Sequence, residues 1–332
     1  MRDALLQEVE RTLDRLVPVP AFHALLTTFV RDKAAETSRW GEMTRHVHYM
    51  FGGRSPHIDK VAALTELIVL ALDIADDLQD RDNAEKSWMQ CPQELSLNAV
   101  MGLLMGAVGE LGRFQAEYPD DTFPKPGEAA LIVMNAVNGQ YRDLTNDIVT
   151  EQDYIAVVQQ KSCMLIKLAY YMGYGSLPAA AAIETEMDLL AGYVGVVSQL
   201  SNDLRDVLRY DVKNDLLHRK RTLPILFLLA DEEDAFPMIR RYYEGAIDRD
   251  EFLRHKIASV DYIRESGCVE YTEVIKTLFL QKAEETFDSL SAPDPEWKER
   301  FRELVLGPKQ PEETEEPADA VVPEEDAQPE KA

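Results

Sequence analysis

LALDIADDLQD, residues 70–80, and VVSQLSNDLRD, residues 196–206, decide how this chain is read. In the first, Asp73, Asp76, Asp77 and Asp80 are spaced i, i+3, i+4, i+7; in the second, Gln199, Asn202, Asp203 and Asp206 repeat that spacing. On an α-helix such positions share one face. Each stripe follows an apolar run, Leu67 to Leu72 before the first and Tyr193 to Val197 before the second. Helices that are apolar on most sides belong in a core. Acids clustered there repel one another and lose hydration unless a charge or a metal compensates. A single acidic stripe is ordinarily a solvated helix face. Two of them, each joined to a buried run, predict two core helices facing across a cavity rich in oxygen ligands. Hard cations such as Mg²⁺ take that donor set, usually with substrate phosphates completing the shell.

Outward from these stripes, helical periodicity runs from residue 1 to about 305, with almost no strand-like alternation. Pro- and Gly-rich breaks fall at 18–20, 52–56, 92, 119–126, 173–178 and 292–295. Between them lie segments including 57–80, 95–118, 128–148, 153–172 and 180–209, which are expected to be helices. The predicted class is all-α, with one helical domain over residues 1–306. From Gly307 onward the chain holds nine acids, two lysines and five prolines. Such a segment buries too little apolar surface to offset its ordering entropy, so 307–332 reads as a disordered, solubilising tail.

The net charge of −25 argues against nonspecific nucleic-acid binding and against attraction to anionic membranes. No uninterrupted apolar run reaches the roughly 18 to 20 residues of a membrane span. Residues 1–17 read as an amphipathic helix too charged for a signal peptide, which predicts a cytoplasmic protein. Cys91, Cys163 and Cys268 form no CxxC pair, so neither a disulfide framework nor a zinc site is indicated. The six histidines show no HxxxH or HExxH pattern, and Trp40, Trp88 and Trp297 are expected to be structural.

The motifs together resemble the trans-isoprenyl diphosphate synthase superfamily. Asp76-Asp77-Leu78-Gln79-Asp80 matches its DDxxD motif, and Gly139-Gln140 with Asp143 resembles its GQxxD element. Lys161-Ser162, preceded by Tyr154, resembles its KT pair. Residues 199–206 resemble the second motif, QxxDDxxD; Asn214-Asp215-Leu216 with Lys220-Arg221-Thr222-Leu223-Pro224 resembles KDLxxGKxTLP. A narrower likeness, in residues 73–83 with Trp88, 96–100, 139–146 and 157–169, is to the ComQ branch. That branch prenylates a tryptophan of a bacterial competence-pheromone precursor used in quorum sensing.

The resemblance implies an isoprenoid-synthase helical bundle around a central cavity and a prenyltransferase using two or three Mg²⁺ ions. By the same resemblance Asp76, Asp77, Asp80, Lys161 and Asp203 form the catalytic set. Asp76 and Asp80 would hold metal from one side, Asp203 and Asp206 with Asn202 from the other. Arg54, Gln140, Asp143, Lys161, Gln199 and Lys220 would bind substrate. Its partners would be an allylic prenyl diphosphate and either a small tryptophan-containing precursor peptide or isopentenyl diphosphate. The family also suggests a homodimer. Asp73, one turn before DDxxD, is either a support for the metal ligands or a polar group on the tunnel wall. Ala71 and Leu72 stand where the family sets tail length by bulk, and neither is aromatic.

Three departures bear on the acceptor. The basic loop of chain-extending synthases is reduced here to Gly52-Gly53-Arg54. Arg81 stands alone after DDxxD where synthases carry two arginines. A second diphosphate needs a basic pocket, so this depletion favours an acceptor without one, such as an indole. Asn202 replaces an aspartate of the second motif and brings a carbonyl ligand without charge. A short-chain polyprenyl diphosphate synthase is the alternative reading. A noncatalytic subunit of a heteromeric synthase is a third, disfavoured by the retained DDxxD.

Overall fold

The computed structural model describes residues 2–36, 39–209, 215–230 and 235–308. Among them the regular structure is helical: α1 (Arg2–Leu16), α2 (Pro20–Ala35), α3 (Trp40–Met50), α4 (Ile58–Asp80), α5 (Ser87–Gln90), α6 (Gln93–Glu117), α7 (Pro126–Leu144) and α8 (Glu151–Gln160). There follow α9 (Ser162–Tyr174), α10 (Ala180–Val207), α11 (Leu223–Ala230), α12 (Met238–Tyr243), α13 (Arg249–Leu253), α14 (Lys256–Glu265), α15 (Cys268–Ser289) and α16 (Pro295–Val305). The expected all-α class is what the chain adopts. Most of the segment expected to be an acidic tail, from residue 309 onward, lies outside the described residues, as does Asn214.

The apolar run before DDxxD explains the position of α4. Leu64, Leu67, Ile68, Val69, Ala71 and Ile74 are all buried to within 1% exposure, so the helix is covered on nearly every side by α1, α3, α6 and α9. Burying each such aliphatic side chain contributes about 1.5–3 kcal/mol, and together they fix α4 in the core. The second central helix, α10, packs against α9 and α15 and is buried at Leu190, Val196, Leu200 and Val207.

One expected helix is two. The segment 153–172 breaks at Lys161, whose φ of −94° and ψ of −80° belong to neither helix. No Gly or Pro marks the break, and α8 opens on a capping box of Thr150 and Asp153. Packing accounts for it. A Cβ on Gly139 of α7 would stand 2.5 Å from the backbone of Gln160 and Lys161, and a Cβ on Gly195 of α10 would enter Cys163. Two glycines thus let α7 and α10 close directly on either side of the irregular peptide. The C-terminal end of α4 is also irregular: Arg81 is left-handed at φ 58° and its amide bonds back to Asp77, closing the helix without a glycine.

Helix α6 is long and apolar enough, by length and composition, to cross a bilayer. Here it packs along α4 with Leu103, Leu111 and Phe114 buried. Its outward side carries Leu97, Met101 and Met105, and the neighbouring α7 carries Leu131, Met134 and Val137, all exposed.

Candidate active site

The two stripes meet. A cavity of about 410 Å³ is walled by the C-terminal halves of α4 and α10, by α7, by the Lys161 break and by the turn that ends at Thr222. Asp73, Asp76 and Asp80 line it from α4; Gln199, Asn202, Asp203 and Asp206 line it from α10. Gln140, Asp143, Lys161, Asp215 and Lys220 complete its polar part, and Leu72, Ala136, Val137, Leu144, Val157, Val158 and Leu165 form its apolar part.

The lysines sit among the aspartates. Because Lys161 interrupts the helix, its side chain can reach inward: Nζ is 2.7 Å from Asp143 Oδ2 and 3.1 Å from Asp76 Oδ1. Burial works against its charge, but Asp76, Asp143 and Asp80 overcome this and hold the ammonium above its ordinary range. Lys220 donates to Asp80 Oδ2 at 2.7 Å and lies 3.9 Å from Asp82. Burial again opposes, and the charges of Asp80, Asp215 and Asp82 prevail. The turn carrying Lys220 is fixed from behind. Tyr243 Oη donates to the Lys220 carbonyl at 2.7 Å, and Arg219, left-handed at φ 53°, stacks on Tyr242.

On α10, Asp203 is 2% exposed and accepts from Tyr154 Oη at 2.5 Å and Gln199 Nε2 at 2.9 Å. Burial pushes its carboxyl up to about 6 against those two donors. Ser162 in turn donates to Gln199 Oε1 at 2.8 Å. Asn202 Oδ1 accepts from Arg205 at 2.7 Å.

Two of the expected site residues lie elsewhere. Asp77, placed in the catalytic set by its motif, is 6% exposed and turns off the cavity. It accepts from Trp88 Nε1 at 2.7 Å and from Asn83 Nδ2 at 2.6 Å, while burial raises its carboxyl to about 6. Arg54, expected to bind substrate, is 62% exposed and pairs at 3.0 Å with Asp294, the N-cap of α16. His57, next along that loop, pairs with Asp121. Asp294 and Asp121 are far from the loop in sequence, so no local signal announces that the loop is held away. Sequence reasoning also passed over Lys33 of α2, which reaches Asp73, and Arg205, which engages Asn202.

The donor set fits divalent cations that share their shell with a diphosphate. Asp76 Oδ1 faces Lys161 at 3.1 Å and Asp206 Oδ1 faces Arg205 at 3.6 Å, so each buried oxygen is held by an ion pair, and neither amide atom of the buried Gln140 head has a hydrogen-bond partner. Among the described residues no three acidic, His or Cys side chains converge tightly enough to enclose a metal by themselves. That agrees with Mg²⁺ chemistry, where one or two carboxylates, waters and substrate phosphates make up the octahedron.

The sequence model described as Polyprenyl synthetase matches residues 41–255. The chain belongs to the polyprenyl synthetase family. The matched span contains both aspartate stripes, the Lys161 break and Lys220. Two curated relatives are tryptophan prenyltransferases ComQ. That of Bacillus subtilis (strain 168) is 28% identical over 85% of this chain and 91% of its own length. That of Bacillus spizizenii is 26% identical over 74% and 86%. A geranylgeranyl pyrophosphate synthase D of Phomopsis amygdali is 25% identical over 52% of this chain and 41% of its own. Among solved structures, a polyprenyl synthase from Caulobacter crescentus CB15, complexed with calcium and isoprenyl diphosphate, superposes with a TM-score of 0.73. It covers 92% of this chain and 97% of its own at 21% identity. A geranylgeranyl pyrophosphate synthase gives 0.76 over 93% and 98% at 18% identity. These structures share the family's fold, and this member of the family is a prenyltransferase.

Proposed function

We propose that this prenyltransferase moves the prenyl group of an allylic diphosphate onto a tryptophan of a small pheromone-precursor peptide, with Mg²⁺. The observation that carries the choice of acceptor is the pairing of Arg54 with Asp294 outside the cavity. The loop that would cradle a second diphosphate contributes no cation to the cavity walls. Lys161 and Lys220, which pair with Asp76, Asp143 and Asp80 of the cavity, are the cations poised for the donor's diphosphate. The ComQ likeness over most of the chain supports the same acceptor.

In this reading Asp76 and Asp80 on one wall, and Asp206 with Asp203 on the other, hold the metal ions. When bound, these supply Lewis-acid neutralisation of the departing diphosphate. Lys161 and Lys220 turn from aspartate to phosphate oxygens and act there as point charges. The donor's C–O bond breaks and diphosphate leaves with the electron pair. The apolar wall of Leu72, Val137, Val157, Val158 and Leu165 surrounds the tail and excludes water from the carbocation. The electron-rich indole then gives an electron pair to form the new C–C bond, and the cationic adduct loses one proton to the released diphosphate or to water. Gln140 offers its unpaired amide to the diphosphate.

A second reading, chain extension with isopentenyl diphosphate, draws on Arg205 and Arg221, which line the cavity beside the lysines. Product mass spectrometry separates the two. Purified protein receives Mg²⁺, geranyl or farnesyl diphosphate, and either isopentenyl diphosphate or a tryptophan-containing peptide. A peptide gaining one prenyl mass is expected. Elongated diphosphates with untouched peptide would transfer the case to the second reading.

The outward apolar side chains of α6 and α7 support a homodimer through that face. We place the protein in the cytoplasm, where prenyl diphosphates are made and a precursor peptide would be met.

A further inference from the structure

Arg205 gives the α10 wall a cation of its own. Lys161 and Lys220 pair with acids from elsewhere in the cavity: Asp76 and Asp80 of α4, Asp82 just beyond it, and Asp143 of α7. On α10, Asp203 is held by neutral donors, Tyr154 and Gln199. Asp206 is held by a charge: Arg205 Nε lies 3.6 Å from its Oδ1. The Asp206 side chain is 8% exposed, whereas that of Arg205, also on the cavity wall, is 59% exposed and open to an incoming ligand.

The same guanidinium decides what Asn202 can offer. Arg205 Nη2 donates to Asn202 Oδ1 at 2.7 Å, one turn back on the helix. A guanidinium has several N–H donors and no acceptor, so the amide must turn its oxygen to Arg205. Its Nδ2–H₂ group is left over, and among the described residues no hydrogen bond uses it. Asn202 stands where the second motif expects an acidic metal ligand. A metal ion drawn to its carbonyl would come to rest beside a fixed guanidinium, and like charges in a half-buried site repel. This corner of the cavity therefore presents N–H donors and positive charge, a donor set for an anion.

We propose that Arg205 and Asn202 bind the donor's diphosphate directly from the α10 wall, and that Asn202 is a phosphate donor instead of a metal ligand. The proposal rests on the donor being an allylic prenyl diphosphate and is independent of the acceptor. Asp206 locates the grip. A metal ion on this carboxylate shares its shell with phosphate oxygens, and a guanidinium against the same carboxylate is within reach of those oxygens. Once Asp206 is given to a metal ion, Arg205 loses that partner and its N–H groups turn to phosphate, for which the planar fork is suited. Asn202 steadies the guanidinium through its oxygen and adds a donor of its own. The departing diphosphate is then met by ammonium groups that had been paired with α4 and α7 and by a guanidinium from α10.

The test measures calorimetric binding of inorganic diphosphate, and of the unreactive donor analogue geranyl thiolo-diphosphate, to the full chain in Mg²⁺. Arg205→Gln is expected to weaken both at least about tenfold, the scale of a lost charge-assisted bond. Arg205→Lys, which keeps the charge and loses the fork, is expected to recover part of that loss. Asn202→Asp separates the two roles of position 202 by sign. Its carboxylate captures Arg205 and repels phosphate, so both ligands are expected to bind severalfold more weakly; tighter binding would make position 202 a metal site and overturn the proposal. A change under about twofold for Arg205→Gln would leave Arg205 a surface counter-ion and overturn it too. So would a loss confined to isopentenyl diphosphate, which would assign Arg205 to a second diphosphate. In case the variants do not fold, wild-type protein is modified with phenylglyoxal and read by peptide mass spectrometry. Loss of labelling at Arg205 in Mg²⁺ and geranyl thiolo-diphosphate, with Arg11 of α1 labelled as before, supports the grip; unchanged labelling of Arg205 overturns it. Failure of the wild type to bind either ligand would instead remove the donor reading, and this proposal with it.

Discussion

Trp88 donates its indole Nε1–H to Asp77 Oδ2 at 2.7 Å, and so withdraws the middle aspartate of DDxxD from the cavity. Asp76 and Asp80, on either side of it, stay on the cavity wall. The motif therefore divides into two residues that face the cavity and one that anchors the helix end.

That division is measurable. Asp76→Asn and Asp80→Asn are expected to lower kcat/KM by at least about 100-fold, the scale of a lost transition-state charge contact. Asp77→Asn, which can still accept from Trp88, is expected to cost less than about tenfold. Trp88→Phe leaves a buried carboxylate oxygen without its donor and should lower unfolding free energy by about 1–3 kcal/mol. Steady-state kinetics and urea melts check these four variants. Equal losses for Asp76→Asn and Asp77→Asn would contradict the division.

Gly139 carries a second prediction. A methyl group there would press on the Gln160–Lys161 peptide, so Gly139→Ala is expected to destabilise by about 1–3 kcal/mol. It should also depress activity beyond the folded fraction, because the peptide it displaces positions Lys161. Chemical denaturation paired with kcat measured well below the melting midpoint separates the two effects. Unaltered kcat in the folded variant would mean the break tolerates movement.

Metal and diphosphate are expected to bind together. Lys161 and Lys220 hold Asp76, Asp143 and Asp80, so Mg²⁺ alone competes with internal cations. Its affinity by calorimetry should rise at least about tenfold when a thiolo-diphosphate donor is present, a coupling near 1.4 kcal/mol. Chelation with EDTA should abolish turnover. Independent binding of the two ligands would argue against a shared shell.

The outward face of α6 and α7 makes a prediction about assembly. Met101→Asp and Met134→Asp place charges where an apolar partner surface is expected. Light scattering should then show a dimer for the wild type and a monomer for the pair of substitutions. A wild-type monomer would sink the dimer.

Cysteine chemistry follows from burial. Cys163 is buried and its thiol is pushed up to about 12, with Cys268 raised in the same sense. The thiolate is the reactive form. Iodoacetamide at pH 8 should label the partly exposed Cys91 and spare the other two, as read by peptide mass spectrometry. Early labelling of Cys163 would show that α9 and α10 open readily.

What the sequence could show was local. The spacing of the stripes and the apolar runs before them lead to α4 and α10 with little left over, because helix periodicity and burial act within a few turns. The turning of Asp77 was out of reach: i+3 and i+4 neighbours are about 100° apart on the helix, and the deciding partner, Trp88, comes from beyond the helix end. The Lys161 break was equally hidden, since residues 160–162 contain no breaker and the cause lies in Gly139 and Gly195 on other helices. The pairings of Arg54 and Lys33 were out of reach for the same reason. Their partners, Asp294 and Asp73, are distant in the chain and close only in the fold.

The lysines seated among the aspartates have a consequence for the resting protein. A cavity of bare carboxylates would need dissolved cations merely to exist in a folded chain that already carries a net charge of −25. This one brings its own counter-ions, tethered by carbon stems, and works as a preloaded ion exchanger. Asp76, Asp80 and Asp143 thus have fixed partners without any dissolved cation, and a metal–diphosphate pair that displaces a tethered ammonium would bring its replacement with it.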